Sequence, residues 1–172
     1  MSHTHYFTYT TCIGPVTIAD NGAAITHLLI GTAATLFPEG ANHPLNPTPI
    51  RSETPLIQSA YEQLDAYLRG TRQSFDLPIA PSGTNFQQKV WSALRQIPYG
   101  TTKSYADIAR AIGQPKASRA VGTACGRNPI LIITPCHRVL GSSGTLTGFA
   151  AGLEVKAALL SLESGGQTHA RP

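Results

Sequence analysis

The chain has 172 residues, 41% of them hydrophobic and 13% charged, which is enough apolar material for a core and argues against disorder. No apolar run approaches the roughly 20 residues of a membrane helix, and residues 1–10 lack the basic-then-apolar pattern of a signal peptide. Three cysteines are too few for a disulfide framework, so a reducing cytoplasm is expected. The charge is uneven: residues 1–80 carry three arginines against six acids, while residues 81–172 carry ten basic side chains against three acids. The basic half suggests an anionic partner, although a merely soluble basic surface reads the same way.

In chain order, residues 5–37 read as strands. Tyr6 to Cys12 is rich in β-formers, Gly14-Pro15 interrupts, and Val16-Thr17-Ile18 resumes. Asp20-Asn21-Gly22 signals a hairpin leading to Ala24–Ile30. Residues 38–55, with five prolines, predict an irregular connection. Leu56, Ala60, Leu64 and Leu68 recur at helical spacing before Gly70, so residues 56–68 predict an amphipathic helix. Phe75–Ile79 reads as a short extended piece, and Pro81-Ser82-Gly83 as a domain boundary.

The second half reads as mostly helical. Phe86, Val90, Trp91 and Leu94 share one face of a helix over 85–96, stopped by Pro98-Tyr99-Gly100. Ser104 with Asp107 three residues on predicts a capping-box start for a helix ending at Gly113. A turn at Gln114-Pro115 leads to a helix over 116–125, ended by Arg127-Asn128-Pro129. Ile130–Thr134 is a short strand-like apolar run, Gly141–Gly148 a glycine-rich loop, Leu153–Glu163 the last helix, and the residues after Ser164 a polar tail.

The two helices around Gln114-Pro115 form a helix-turn-helix pattern. On the second, Ala117, Ala120, Val121, Ala124 and Cys125 share a face, while Lys116, Arg119, Thr123 and Gly126 fall opposite. Short residues around one long arginine allow close approach to DNA, and the same pattern serves an αα-hairpin with a solvated face. Gly122 in mid-helix suggests close approach by some neighbour.

Pro135-Cys136-His137-Arg138-Val139 is the densest chemistry in the chain. Thiolate is the reactive form of cysteine, and a nearby His or Arg lowers the thiol pKa. Adjacent residues of an extended chain point to opposite sides, so cooperation needs a bend, which Pro135 allows, or a bridging water. A third group should orient the imidazole, and Glu154 and Glu163 are the nearest later carboxylates. Cys12 and Cys125 lack such neighbours, no CxxC pair suggests zinc, and Gly141-Ser142-Ser143-Gly144 does not match a phosphate loop.

These residues resemble the O6-alkylguanine-DNA alkyltransferase family, also called methylated-DNA–protein-cysteine methyltransferases. Pro135-Cys136-His137-Arg138-Val139 is similar to that family's active-site signature. Phe86–Trp91, Pro98-Tyr99-Gly100, Ser104-Tyr105, Arg119–Gly122, Asn128-Pro129 and Gly141–Gly152 follow in the family's order and spacing. The resemblance is strong over residues 82–163 and weak over residues 1–80.

It implies an α+β fold. An N-terminal small antiparallel sheet (ribonuclease H-like) with a helix would occupy residues 1–81. A mostly helical DNA-binding and alkyl-transfer domain, with a helix-turn-helix and a short active-site strand, would occupy residues 82–163, with a tail at 164–172. The implied activity is irreversible, stoichiometric transfer of the alkyl group of O6-alkylguanine, and to a lesser degree O4-alkylthymine, to Cys136 after the damaged nucleotide is flipped. The expected partner is double-stranded DNA containing alkylated guanine, met by a monomer, with no cofactor, no metal and no membrane.

By resemblance, His137 would deprotonate Cys136 through a water, with Glu163 holding the imidazole. Tyr105 would donate to the leaving guanine, and Lys156 would lie near the pocket. Arg119 would be the finger replacing the flipped nucleotide, on a helix that docks in the minor groove with Lys116, Ala120 and Thr123 at the DNA. Asn128 would brace the turn before the active-site strand, and the carbonyls of Cys136 and Val139 would read the exocyclic amine of guanine. Phe149, Ala150 and Ala151 would wall the pocket. Phe149 stands where the family usually has tyrosine, and Ala151 where it often has glycine, so the accepted alkyl size is open. Two other classes also fit the residues: a helix-turn-helix module that binds DNA without transfer, and a Cys-His hydrolase, which would turn over through an acyl-enzyme.

Overall fold

The computed structural model describes residues 3–36 and 49–165. It divides into two compact units, Met1–Pro81 and Ser82–Pro172.

The first unit is built on a four-stranded sheet. Strands β1 (His5–Thr11), β2 (Gly14–Asp20) and β3 (Ile25–Ile30) run antiparallel to their neighbours. Pro15 falls at the second residue of β2 rather than in the break, near the strand start where a missing N–H costs the ladder little. The turn after β2 is held by side chains: Asp20 accepts from the Gly22 N–H at 2.9 Å, and Asn21 accepts from the N–H groups of Ala23 and Ala24. The strand reading of residues 5–37 missed a short helix, α1 (Ala33–Leu36). Residues 38–48 of the proline-rich connection lie outside the described residues.

Strand β4 (Ile50–Arg51) then pairs parallel to β1, so the sheet is mixed, with order β3-β2-β1-β4. The hairpin signals of β1 to β3 read as antiparallel; a two-residue strand has too little pattern to show its direction. Helix α2 (Pro55–Leu68) starts where Thr54 accepts from the Ile57 N–H and Pro55 takes a first-turn position without needing a hydrogen bond. It buries Ile57, Ala60, Leu64 and Tyr67 in a core shared with Val16, Ile18 and Leu28 of the sheet. Of the extended piece at 75–79, Ile79 bridges to Ile25.

The second unit begins with α3 (Asn85–Leu94), started by a capping box between Thr84 and Gln87. Its Trp91 is buried and donates from Nε1 to the Ala124 carbonyl at 2.9 Å, tying α3 to a later helix. Strand β5 (Lys103–Ser104) runs into α4 (Tyr105–Ala111), whose cap is the Ser104–Asp107 box. Helix α5 (Ser118–Gly126) begins two residues later than the spacing predicts. Gln114 to Ala117 closes a turn of its own, with Ala117 N–H on the Gln114 carbonyl at 2.9 Å, and this leaves Lys116 ahead of the helix.

The apolar run 130–134 forms a tight turn rather than a strand. Thr134 N–H reaches the Ile130 carbonyl at 3.0 Å, and Ile133 N–H reaches Leu131 at 2.8 Å. The Asn128 side chain takes the Ile130 N–H and the Thr134 carbonyl, which a strand would have offered to a neighbour. A 3₁₀ turn at Cys136–Arg138 leads into β6 (Val139–Leu140), which pairs parallel to β5. Helix α6 (Leu153–Glu163) closes the unit and buries Lys156, Leu159, Leu160 and Glu163 along one stripe. No helix among the described residues is long and apolar enough to cross a membrane.

Candidate active site

The bend that Pro135 allows takes the form of the 3₁₀ turn. Cys136 opens it, and Cys136, His137 and Arg138 are all buried. Upstream, Ile132 sits at φ 71°, a left-handed conformation that is costly for a β-branched residue and of a kind that clusters at functional sites. The β5–β6 pair joins this segment to the start of α4, Lys103 opposite Val139 and Ser104 opposite Leu140, and so fixes Tyr105 relative to the thiol.

Asn128 reaches the thiol directly. Its Nδ2 donates to the Thr134 carbonyl at 2.7 Å and to Cys136 Sγ at 3.3 Å, while its Oδ1 accepts from Ile130 N–H at 3.0 Å. Burial pushes the Cys136 thiol up from its ordinary value, opposed by the Asn128 hydrogen bond and by the charge of Lys156. Cys125, on the inner face of α5, is pushed up to about 12 by burial.

His137 Nε2 lies 2.8 Å from Glu163 Oε1, so its proton is donated to the carboxylate and Nδ1 is the nitrogen that can take another. Burial drives the His137 pKa down; Glu163 opposes this, and the cations Arg138 and Lys156 reinforce it. Glu163 therefore stands where a group orienting the imidazole is needed, whereas Glu154 is exposed in the first turn of α6. Gly100, at φ 74°, turns its N–H to Glu163 Oε2 at 3.2 Å. Arg138 does not assist the thiol as a neighbouring arginine could: its guanidinium turns to Glu163. The sequence motif contains Arg138 but nothing in it gives that direction.

Lys156 is fully buried and lies on the same face of α6 as Glu163. Its ammonium donates to the carbonyls of Val139 at 2.6 Å and Thr147 at 2.8 Å, so it joins the active-site strand to the glycine-rich loop. Burial lowers the Lys156 pKa. Tyr105 donates its hydroxyl to the Thr147 carbonyl at 3.2 Å and accepts from Thr147 Oγ1 at 3.3 Å. Burial raises the Tyr105 pKa, keeping the phenol a donor. Thr147 thus meets both Tyr105 and Lys156, a role that no spacing rule in the sequence exposes.

A groove of about 760 Å³ opens beside this cluster. Tyr105, Arg119, Gly122, Thr147, Phe149 and Ala150 are among its lining residues; Cys136, Asn128, Val139 and Ala151 are not. Arg119, Ala120 and Thr123 are exposed on α5, so Ala120 leaves the buried face that Val121, Ala124 and Cys125 form. Gly122 faces the Tyr105 ring; a Cβ there would meet the ring at 3.7 Å, ordinary contact, so the groove beside it is the tighter reason for a small residue. Among the described residues, no group of three or more His, Cys, Asp or Glu side chains could hold a metal ion.

The family model of the 6-O-methylguanine DNA methyltransferase DNA-binding domain matches residues 85–165, and that of the ribonuclease-like domain of the same family matches residues 4–81. A methylated-DNA–protein-cysteine methyltransferase of Methanosarcina barkeri is 48% identical over 151 residues, covering 88% of this chain and 91% of its own. Its namesake in Mycobacterium bovis is 46% identical over 159 residues, covering 92% of each chain. The crystal structure of Mycobacterium tuberculosis OGT in complex with DNA superimposes with a TM-score of 0.81 at 44% identity, covering 94% of this chain and 93% of the other.

Proposed function

The chain belongs to the 6-O-methylguanine DNA methyltransferase family, and from that premise we propose that Cys136 is the residue that takes the alkyl group. The activity is DNA repair by transfer of an alkyl group from DNA to a cysteine of the protein itself, and the partner is double-stranded DNA carrying alkylated guanine. One observation carries the choice of cysteine. Cys136 adjoins a buried histidine–carboxylate pair and has an amide donor 3.3 Å from its sulfur. Cys12 is exposed, and Cys125 packs with Val121 and Ala124 on the buried face of α5.

The alkyl carbon is out of reach inside a stacked duplex, so the nucleotide must leave the stack, at a cost of about a few kcal/mol. Arg119, exposed at the groove rim on α5, fills the vacated place. The flipped base enters the groove between Tyr105, Gly122 and the loop carrying Phe149 and Ala150. His137 Nδ1 takes the thiol proton through a bridging water while Glu163 holds the other nitrogen. The Sγ lone pair attacks the alkyl carbon in line, an S–C bond forms, and the O6–C bond breaks with its electron pair passing to guanine. Tyr105 donates its hydrogen bond to the charge developing there, exchanging Thr147 for the base. Lys156 keeps the loop and the active-site strand together during this exchange. The thioether product has no route back to a thiol, so each molecule acts once.

Residues 82–163 carry binding and transfer in this reading, and residues 1–81 form the ribonuclease-like domain. Cytoplasmic location is part of the same proposal, supported by three free thiols that fit a reducing compartment.

The test is the mass of the intact protein after incubation with a duplex containing O6-methylguanine. A single methyl addition mapped to Cys136 is expected, with Cys136→Ser binding the duplex and gaining no mass. A methyl on Cys12 or Cys125 refutes the assignment. Binding without mass gain favours the pure binding module, and turnover favours the hydrolase.

A further inference from the structure

Arg138 is the charged side chain of the active-site motif to which the reading above gives no part. Its Nε donates to Glu163 Oε2 at 2.9 Å and to Oε1 at 3.2 Å, and its Nη2 donates to Oε1 at 2.9 Å. Its Nη1 donates to the Ile97 carbonyl at 2.6 Å, beyond the end of α3, and the Tyr99 ring lies 5.8 Å from its guanidinium carbon. The Glu163 carboxylate also accepts from His137 Nε2 and from Gly100 N–H. One buried carboxylate therefore holds the imidazole on one side and a guanidinium fork on the other.

We propose that Arg138 is a positioning residue for alkyl transfer: its fork on Glu163 fixes the carboxylate and balances its charge, so that His137 stays a neutral base with its proton on Nε2 until the thiol proton reaches Nδ1. This rests on the reading of Cys136 as acceptor and His137 as its base.

The physical reason is charge balance in a site closed to water. A buried carboxylate without a counter-cation draws a proton to the nearest base. Here that base is His137. The charged groups acting on it are Glu163 and Lys156 from α6 and Arg138 from its own turn, which Cys136 opens. Burial is the main influence against protonation of the imidazole, Arg138 and Lys156 add to it, and Glu163 favours protonation. Lys156 is directed at the carbonyls of Val139 and Thr147, whereas Arg138 is a cation bonded directly to the carboxylate. Without Arg138, the imidazole takes a proton at a higher pH, and once protonated its Nδ1 is a donor that cannot accept one from the thiol. Raising the pH removes that proton and restores the base. A role in packing alone would slow transfer by the same factor at every pH.

The test is single-turnover methyl transfer by the full chain from an O6-methylguanine duplex, between about pH 5 and about pH 9, the span over which histidines titrate. The wild-type rate should fall only on the acid side of the ordinary histidine range. In Arg138→Gln that acid limb should move up by about one pH unit or more, so that transfer is about tenfold slower at pH values below the wild-type limb and recovers as the pH rises. Arg138→Lys should keep the wild-type limb with a lower plateau, because the charge stays and the fork is lost. Arg138→Gln combined with Glu163→Gln should bring the limb back toward wild type, since both charges are gone. An Arg138→Gln protein that follows the wild-type profile, or is slowed equally at every pH, overturns the proposal. If Arg138→Gln does not fold, the other two variants decide, and a displaced acid limb in either counts against charge balance. His137→Ala separates the two readings: undiminished transfer in that variant refutes the base itself, whereas loss of transfer there with an unmoved Arg138→Gln limb refutes Arg138 alone.

Discussion

Replacing Asn128 by alanine should damage both the turn before the active site and the thiol, and the structure lets the two losses be separated. All three hydrogen-bonding groups of the amide are used, on Thr134, Ile130 and Cys136 Sγ. The Thr134 carbonyl keeps a second donor in Cys136 N–H, so the stranded group is chiefly the buried Ile130 N–H. Losing the amide from this turn should cost about 2–4 kcal/mol of stability, from one stranded donor and one weakened acceptor. At the sulfur, a hydrogen bond to a forming thiolate contributes about 1.5–3 kcal/mol, and its loss should slow transfer by roughly tenfold to a hundredfold. The sign at the thiol follows from the same contacts. Burial already raises the Cys136 pKa and Asn128 lowers it, so removing Asn128 shrinks the thiolate fraction at any given pH. Asn128→Asp keeps an acceptor for the Ile130 N–H but replaces the donor to Thr134 and to the sulfur by an anion, so its loss of transfer should exceed that of Asn128→Ala. The assays are urea unfolding, transfer from the O6-methylguanine duplex, and the pH dependence of Cys136 alkylation by iodoacetamide. Asn128→Asp reacting at the wild-type rate, or Asn128→Ala losing stability with an unmoved thiol titration, would refute this account of the residue.

Arg119→Ala should slow repair in duplex DNA far more than reaction with a free-base alkylguanine, because only the duplex needs a flipped state held open; equal losses would deny Arg119 the finger role. Residues 85–138 carry eight basic side chains against one acid, so duplex affinity in the same titrations should fall steeply with salt. Ala151 is absent from the groove lining, so Ala151→Gly should leave the ratio of benzyl to methyl transfer unchanged, whereas Ala150→Val should lower it by roughly tenfold or more through overpacking. A ratio that rises in Ala151→Gly would put Ala151 against the substrate.

Much of this organisation was legible because it is local. The last helix, read over Leu153–Glu163, has the bounds of α6, and Ser104 with Asp107 predicts the cap that starts α4. What could not be read depends on which of several competing hydrogen bonds forms, near or far along the chain. Lys116 stands outside α5 because a turn closes on Gln114, and a Pro-Lys-Ala-Ser string carries no sign of which backbone bond forms first. Ile130–Thr134 has the composition of a strand, yet its end groups are taken by one asparagine side chain, a choice invisible to β-propensity. The direction of Arg138 depends on Glu163, 25 residues later, and on Ile97, 41 residues earlier.

The last helix shows why residue order and site geometry part company here. Lys156 and Glu163 lie two turns apart on one inward stripe, among Leu159 and Leu160, where an amphipathic pattern calls for apolar residues. A buried lysine and a buried glutamate on one stripe would ordinarily weaken a helix unless each were paired. Both are: the ammonium on two carbonyls, the carboxylate on an imidazole, a guanidinium and a backbone N–H. The two charges therefore do separate jobs along one rigid rod. One end fastens the loop that walls the groove, and the other holds the imidazole that follows the thiol in the chain. Because the same helix sets both, a change that tilts α6 should loosen the groove wall and misplace His137 together, which makes the spacing of Lys156 and Glu163 as much a part of the site as their identities.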